Sequence, residues 1–267
     1  MSAPATEFAA PAGTERRDPH AVVEVVDVSV NFGGIAALTD VRLSAREGQI
    51  TGLIGPNGAG KTTLFNVITG LQEPTHGRVW FGDRDVSGLP PYKRARRGVA
   101  RTFQRLEVFG SLTVFENVLA AAEFRRSWSN DDTPARTVAA EIIRRVGLSV
   151  VADARVDSLP TGLARLVELG RALATRPRLL LLDEVGSGLS HEETEALGDL
   201  MVDLTRDGTA ILLVEHDVEL VMRVCDRIFV LDFGRIIATG TPAQVQKDPA
   251  VQAAYLGAAP ESRGGPS

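Results

Sequence analysis

The glycine-rich segment GPNGAGKTT at residues 55–63 constrains the fold of this chain more than any other feature. It follows the short apolar run Gln49–Ile54 and leads into a helical pattern from about Lys61 to Thr69. The pattern GxxxxGK, followed by Ser or Thr and set between a strand and a helix, is typical of a loop that cradles phosphates. A merely flexible glycine loop needs no such flanking elements. We therefore expect a strand–loop–helix unit that binds a nucleotide.

Each residue type in this loop has a chemical reason. Gly55, Gly58 and Gly60 let the backbone turn tightly, so that successive N–H groups face the β-phosphate. The following helix adds the positive end of its dipole. Lys61 brings a positive charge to the β- and γ-phosphates, and Thr62 offers its hydroxyl to Mg²⁺. The predicted nucleotide-binding residues are Gly55, Pro56, Asn57, Gly58, Ala59, Gly60, Lys61, Thr62 and Thr63, the last through the α-phosphate.

Strand-like and helical patterns alternate along the rest of the chain. The strand-like runs are Val22–Val30, Gln49–Ile54, Arg178–Leu182 and Thr209–Val214. Helical patterns cover about Lys61–Thr69, Leu163–Ala174 and His191–Arg206. This alternation predicts an α/β fold with a parallel sheet. The stretch Pro90–Ser158 breaks the rhythm and is mostly helical in pattern, so we expect an inserted helical subdomain at about residues 90–158.

The chain ends and the overall composition set further limits. We expect residues 1–20 and 258–267 to be disordered tails, because they lack any helical or strand periodicity. Residues 21–257 then form one domain with one nucleotide-binding unit, since each motif occurs once. The net charge of −5 argues against a general nucleic-acid binder. Cys225 is the single cysteine, which is compatible with a reducing compartment.

No targeting or membrane-spanning segment is visible in the sequence. The first twenty residues lack the basic start and continuous apolar stretch of a signal peptide. No apolar run approaches the roughly 18–20 residues that span a bilayer. We expect that a protein of this kind would serve a membrane from its cytoplasmic face, as a peripheral subunit held by partners.

Two further strand ends carry polar side chains that suit phosphate chemistry. Asp183 ends the run LLLLD, where an acid can hold Mg²⁺, and Glu184 follows in position to deprotonate an attacking water. His216 ends the run ILLVEH and is a candidate for a hydrogen bond to the γ-phosphate. The alternative interpretations are a polar loop after a core strand for the two acids and a structural histidine for His216.

The order of these motifs resembles the ABC ATPase family over about residues 22–257. The resemblance implies a P-loop NTPase core with a mostly parallel sheet, an N-terminal antiparallel β subdomain and an inserted helical subdomain. It implies that Phe32, in NFGG, stacks on adenine. It also implies that Gln104, in RTFQ, touches the Mg²⁺ and water region and links the core to the helical subdomain. Ser187–Ser190 corresponds to the loop that crosses the dimer interface, and the segment from Cys225 to Arg235 to the strand pair that closes the core.

The segment LPTGLAR at residues 159–165 resembles the family's signature, in which a helix start and Gly162 face the ATP of the opposite subunit. Pro160 stands where a serine is usual and Leu163 where a glutamine is usual. Smaller departures are Val185 in place of proline and Ser190 in place of Asp or Asn. These departures bear on the rate of turnover and on whether both sites of a dimer hydrolyse ATP.

The finer resemblance is to ATPase subunits of high-affinity branched-chain amino-acid importers. It rests on Gly52–Gly70, on RTFQ at residues 101–104, on LTVFENV at residues 112–118 and on AYLG at residues 254–257. This resemblance implies membrane-spanning permease subunits, a second ATPase that is a related or identical chain, and an extracytoplasmic solute-binding protein as an indirect partner. An importer of urea or other amides, a soluble ABC-type ATPase and a phosphoryl transferase are the alternatives.

A basic stretch runs from Tyr92 to Arg97 and continues with Arg101 and Arg105. Such a run suggests nucleic-acid binding, but a solvated helix face is the simpler interpretation. Contact with acidic lipid head groups near a membrane partner is a further alternative. We expect no nucleic-acid partner.

Overall fold

A six-stranded sheet lies behind the glycine-rich loop and sets the positions of the candidate site residues. The computed structural model describes Asp18 and residues 20–256. The strands are β1 (Ala21–Phe32), β2 (Ile35–Arg46), β3 (Ile50–Ile54), β4 (His76–Phe81), β5 (Arg84–Asp85), β6 (Val99–Arg101), β7 (Leu179–Asp183), β8 (Ala210–Val214), β9 (Arg227–Asp232) and β10 (Arg235–Gly240). The larger sheet has the order β10-β9-β3-β8-β7-β6. All its neighbouring strands are parallel except the hairpin of β9 and β10.

Helices cover the sheet and build a separate helical layer. They are α1 (Lys61–Thr69), α2 (Pro91–Ala95), α3 (Val114–Arg126), α4 (Ala135–Arg145), α5 (Thr161–Ala174), α6 (His191–Arg206), α7 (Val218–Val224), α8 (Pro242–Gln246) and α9 (Pro249–Leu256). Two single turns of 3₁₀ helix, Ser149–Val151 and Val156–Ser158, connect α4 to α5. The predicted bounds of α1 and α6 coincide with the observed bounds.

The three central strands are buried on both faces. Every residue of β3, β7 and β8 is buried. Side chains of a strand alternate between the two faces of a sheet, so that Leu180 and Leu182 join one apolar core while Leu179 and Leu181 join the other. Burial on both faces explains why these runs are continuously apolar rather than alternating. The sheet is therefore a rigid support for the loops at its carboxyl edge.

A smaller antiparallel sheet of order β2-β1-β4-β5 packs beside α1. It agrees with the predicted antiparallel subdomain, although β4 and β5 come from the chain after the phosphate loop. Its core side chains, among them Val28, Val30 and Leu38, belong to the same apolar cluster as Leu64 and Phe65 of α1. The two sheets therefore hold α1 between them.

Three expectations about the chain's organisation need correction. The stretch 90–158 is not only an inserted helical unit, because its strand β6 pairs in parallel with β7 in the core sheet. The helical layer extends beyond residue 158, since α5 packs with α3 and α4 in one apolar cluster. Within the expected tail of residues 1–20, Asp18 forms an ion pair with Arg46 at 2.5 Å. The other tail residues, apart from His20, lie outside the described part of the chain.

Candidate nucleotide-binding site

Three neighbouring parallel strands bring the candidate residues to one edge of the sheet. The phosphate loop follows β3, and Glu215 and His216 follow β8. Asp183 ends β7, and Glu184 comes directly after it. Because β3, β8 and β7 are adjacent in the sheet, their carboxyl ends meet at one place. A cavity of about 540 Å³ opens there, and its lining residues are Asn57, Gly58, Gly60, Lys61, Thr62, Thr63, Gln104, Asp183, Glu184, Val214 and His216.

The phosphate loop has the close packing that its glycines predict. A Cβ atom at Gly55 would lie 2.0 Å from the carbonyl oxygen of Leu231, which no side chain tolerates. Gly60, with φ of 110°, is the N-cap of α1 and provides no side-chain cap. The free N–H groups of the first helical turn therefore remain available to an anion, as phosphate binding requires.

Lys61 lies over this loop. Its Nζ donates to the carbonyl oxygens of Gly55 at 2.6 Å and Pro56 at 2.9 Å. Burial lowers the pKa of Lys61, and the charges of Glu184 and Asp183 oppose that shift. An ammonium group held between the loop and two carboxylates is well placed to contact phosphate oxygens on either side.

Glu184 is held in an unusual backbone conformation. Its backbone φ is +52°. Residues other than glycine adopt such a positive φ rarely, and those that do are concentrated at functional sites. Its backbone N–H donates to Val214 O at 2.9 Å, which ties the end of β7 to β8. Its Oε1 lies 2.9 Å from His216 Nε2 and 3.4 Å from Gln104 Nε2. Four catalytic side chains are predicted, Glu184, His216, Gln104 and Lys61, and the first three therefore meet at one carboxylate oxygen.

Asp183 is buried and paired with an arginine. Its Oδ2 accepts a hydrogen bond from Arg101 Nη2 at 2.9 Å, and its backbone N–H donates to Thr102 Oγ1 at 3.0 Å. Burial lowers the pKa of Arg101, and the hydrogen bond to Asp183 opposes that shift. Sequence reasoning placed Arg101 in a basic stretch and in the RTFQ motif, without a role of its own. No local pattern indicated its burial, which follows from the pairing of β6 with β7.

The interpretation of the basic stretch as a solvated face is correct for Lys93 and Arg96 and wrong for two other members. Arg94 is 1% exposed, and the side chain of Arg101 is 5% exposed. Arg94 donates to Val67 O and Ile68 O in the last turn of α1, where a cation interacts favourably with the carbonyl end of the helix. Because the side chains of Arg94 and Arg101 are buried and hydrogen-bonded inside the protein, the basic stretch does not form a continuous basic surface.

Glu215 is a second site residue that sequence reasoning missed. Its Oε1 accepts a hydrogen bond from the backbone N–H of Gly186 at 2.7 Å, so it fastens the loop that follows Glu184. Burial raises the pKa of Glu215, hydrogen bonds from the backbones of Gly186 and His216 lower it, and the charge of Glu184 raises it. The only sequence signal was an acid directly after a wholly apolar strand.

Phe32 and Gly162 do not line this cavity. Phe32 is half-exposed at the end of β1 and pairs with Ile35 across the hairpin. Gly162 lies in the first turn of α5, where an added Cβ would be 2.6 Å from the carbonyl oxygen of Gly188. The signature turn thus packs against the predicted interface loop.

Two of the departures from the family pattern have visible local consequences. Pro160 is the N-cap of α5 and forms no side-chain hydrogen bond to that helix. Ser190 caps α6 in a reciprocal arrangement with Glu193, so that the substitution preserves the N-cap of that helix. The start of α5 therefore offers backbone N–H groups alone, whereas α6 keeps a complete cap.

The residues present suit Mg²⁺. Hard divalent cations prefer oxygen ligands, and the cavity brings together the hydroxyl of Thr62, the carboxylate of Asp183 and the amide of Gln104. Among residues 20–256, together with Asp18, no group of three or more His, Cys, Asp or Glu side chains forms a metal site. Mg²⁺ would therefore share its ligands between these few side chains, phosphate oxygens and water. No helix of the described chain is long and apolar enough to span a membrane.

The sequence matches known family models over most of its folded length. The model described as "ABC transporter" matches residues 38–187, and the one described as "Branched-chain amino acid ATP-binding cassette transporter" matches residues 235–261. LivG of Salmonella typhimurium, a high-affinity branched-chain amino acid transport ATP-binding protein, is 40% identical over 255 residues, which cover 89% of this chain and 98% of LivG. LptB of Haemophilus influenzae, a lipopolysaccharide export system ATP-binding protein, is 36% identical, with 88% and 97% covered.

Solved structures agree with these relatives. A nucleotide-free ATP-binding cassette from an ABC transporter superimposes with a TM-score of 0.79 at 31% identity, covering 88% of this chain and 98% of that one. The ADP conformation of an ATP-binding cassette gives a TM-score of 0.78 at 31% identity, with 89% and 99% covered. The predicted ABC ATPase fold is thereby confirmed. The chain belongs to the ABC transporter family, as an ATP-binding subunit with ATPase activity.

Proposed function

We propose that this chain is the ATP-hydrolysing subunit of an importer for branched-chain or other hydrophobic amino acids. The observation that carries the proposal is its 40% identity to LivG over 89% of the chain. The separate C-terminal match at residues 235–261, to a family described by the same solutes, supports it. An importer of urea or other amides is an alternative. Lipopolysaccharide export is a second candidate, because LptB is nearly as similar at 36% identity.

The site residues divide the chemistry of ATP hydrolysis between them. The phosphate loop and Lys61 hold the phosphates, and Phe32 stacks on the adenine. Glu184 accepts the proton of the attacking water, while His216 and Gln104, which both reach its carboxylate, orient it and contact the γ-phosphate region. Thr62, Gln104 and Asp183 would hold Mg²⁺, which would supply positive charge against the phosphate oxygens.

A second cassette completes the site. Gly162 is not among the residues that line the cavity of its own subunit, so in this proposal Gly162 of one subunit faces the nucleotide of the other. The similarity to a dimeric cassette in a post-hydrolysis state, with a TM-score of 0.74 at 26% identity and 82% of this chain covered, supports this arrangement. The partner is a related second ATPase or an identical chain.

An apolar groove of about 510 Å³ beside the site receives the membrane-spanning permease. Its lining includes the exposed side chains of Leu71, Phe109 and Phe124, which lie between the core and the helical layer. Phe103 also lines the groove, and its neighbour Gln104 touches Glu184. A helix of the permease that binds in this groove would contact Phe103, and the next residue, Gln104, contacts the carboxylate of Glu184. The subunit works at the cytoplasmic face of the membrane, and an extracytoplasmic binding protein delivers the solute.

The catalytic assignment is tested with Glu184→Gln. The amide keeps the size of the side chain and an oxygen that accepts from His216, but it cannot take a proton. We expect the hydrolysis rate of Mg·ATP to fall by about 10²- to 10⁴-fold, while ATP binding persists and a closed dimer accumulates. Single-turnover hydrolysis and size-exclusion chromatography measure both effects, with the exposed Glu192→Gln as the matched control. Hydrolysis within threefold of wild type would show that Glu184 is not the base.

The solute is tested in cells that carry Glu184→Gln in place of the wild-type gene. We expect uptake of radiolabelled leucine, isoleucine and valine to be lost and the tagged protein to purify from membranes with two permeases. Unchanged amino-acid uptake with lost uptake of urea would favour the amide importer. Unchanged uptake of both, with a defect in the outer membrane, would favour lipopolysaccharide export.

A further inference from the structure

Arg101 connects two of the elements that carry the expected protein groups for Mg²⁺, the strand β7 and the helix α1. Its Nη2 donates to Asp183 Oδ2, at the end of β7, at 2.9 Å. Its Nη1 donates to Asn66 Oδ1, on α1, at 2.6 Å. Asn66 lies four residues after Thr62 on the same helix, and side chains four apart share a helix face. One guanidinium group therefore spans from the strand that carries Asp183 to the helix that carries Thr62.

The surroundings of Arg101 allow its side chain little freedom. Its guanidinium carbon lies 5.3 Å from the ring centroid of Phe65 and 5.0 Å from that of Phe103. Thr102, next in sequence, accepts from the backbone N–H of Asp183 and donates its own N–H to Leu181 O at 3.0 Å. A planar cation packed against two rings and anchored by its neighbour holds both acceptors at fixed positions.

We propose that Arg101 is a positioning residue for the Mg²⁺ site. Arg101 sets the separation of Thr62 and Asp183 and the orientation of the Asp183 carboxylate. This inference rests on the proposed use of Mg²⁺ by this site. Because Oδ2 accepts from Arg101, Oδ1 would be the oxygen available to the metal or its water shell. Groups that orient a metal ligand from behind tune the affinity for the metal.

A positioning role differs in its consequences from simple charge neutralisation. If only the charge mattered, Arg101→Lys would behave as wild type, since lysine keeps the cation. Lysine offers a single ammonium group in place of a planar fork, so it cannot make both contacts in the same geometry. Asn66→Ala removes only the link to α1 and leaves the ion pair with Asp183 in place.

The experiment measures binding of a fluorescent non-hydrolysable ATP analogue in EDTA and then across a Mg²⁺ titration. Mn²⁺ electron paramagnetic resonance reports directly on the metal environment. We expect Arg101→Met to raise the half-saturating Mg²⁺ concentration by about tenfold or more, and Asn66→Ala and Arg101→Lys to raise it by smaller factors. Affinity in EDTA should stay within twofold of wild type. The exposed Arg105→Met, on the same loop, is the control and should show no shift.

The outcomes separate this inference from the function on which it rests. Unchanged Mg²⁺ titrations in Arg101→Met and Asn66→Ala would overturn it, and so would an equal loss of affinity with and without metal. If Arg101→Met does not fold, the shift in Asn66→Ala decides alone. A wild-type protein that needs no metal would overturn the proposed use of Mg²⁺ and this inference together, whereas a metal-dependent wild type with unaffected variants overturns this inference only.

Discussion

Arg94 offers a direct test of how the structure stabilises α1, the helix that follows the phosphate loop. Its guanidinium donates to four carbonyl oxygens, those of Val67 at 2.6 Å, Ile68 at 2.9 Å, Leu89 at 2.9 Å and Ser87 at 2.8 Å. Burial lowers the pKa of Arg94 to about 10, because removal of the guanidinium from water disfavours its charged form and carries a cost. The hydrogen bonds must outweigh that cost for the side chain to remain inside.

The expected loss follows from these four contacts. Arg94→Met keeps the apolar stem but leaves four carbonyl oxygens without this donor. Val67 O keeps the hydrogen bond from Gly70 N–H, so three acceptors lose a donor that the structure does not otherwise replace. At about 1 kcal/mol for each acceptor left unsatisfied, we expect the free energy of unfolding to fall by about 3 kcal/mol. A domain of this kind is stable by about 5–15 kcal/mol, so the variant is marginal or unfolds. Arg94→Lys keeps the positive charge but can make fewer of these hydrogen bonds. Its free energy of unfolding should therefore fall by about half as much as that of Arg94→Met.

Urea unfolding followed by circular dichroism measures the effect. The control is Arg96→Met, which removes an exposed arginine from the end of the same short helix and should cost less than about 0.5 kcal/mol. A loss below about 1 kcal/mol for Arg94→Met, or equal losses for both variants, would refute the argument from burial. If Arg94→Met fails to fold, the comparison of Arg94→Lys with Arg96→Met carries the test.

Two more outcomes follow from the site. Gly55→Ala should weaken ATP binding at least about tenfold, or 1.4 kcal/mol, because the new Cβ would lie 2.0 Å from Leu231 O. Calorimetric titration measures this effect, and Gly82→Ala, where an added Cβ meets nothing, should leave the affinity unchanged. The folded-state pKa of Glu215 is raised above its ordinary value of 4.5, so its contribution to stability is complete below that pH and declines as pH rises through the raised pKa. Glu215→Gln should remove this decline in urea unfolding between pH 4 and 8, and a pH-independent difference from wild type would contradict the assignment.

Local signals predicted some elements closely. The bounds of α1 agree because Gly60 and Gly70, both with positive φ, mark its two ends in the sequence. Those of α6 agree because Ser190 and Glu193 form a capping box, which is a pattern of neighbouring residues. The strand β6 was missed because three residues carry too little periodicity to distinguish a strand from its helical surroundings.

The candidate site divides in the same way. The position of the phosphate loop was predictable because it depends on a short stretch of backbone, and the meeting of Asp183, Glu184 and His216 because parallel strands end at a common edge. The roles of these residues stay predictions. Arg101 and Glu215 were not predictable, because their roles depend on partners 82 and 29 positions away in the chain.

The sequence by itself determined the α/β architecture, the phosphate loop and the order of the strand-end residues, since each depends on periodicity or on adjacent residues. Only the tertiary structure decided which arginines of the basic stretch are inside. Arg94 and Arg96 are two residues apart and chemically identical, yet Arg94 fills a pocket of carbonyl oxygens and Arg96 meets water. Two side chains that are two residues apart on a helix point to different sides of it. Whether each arginine is buried depends on which other segments of the chain pack against its side.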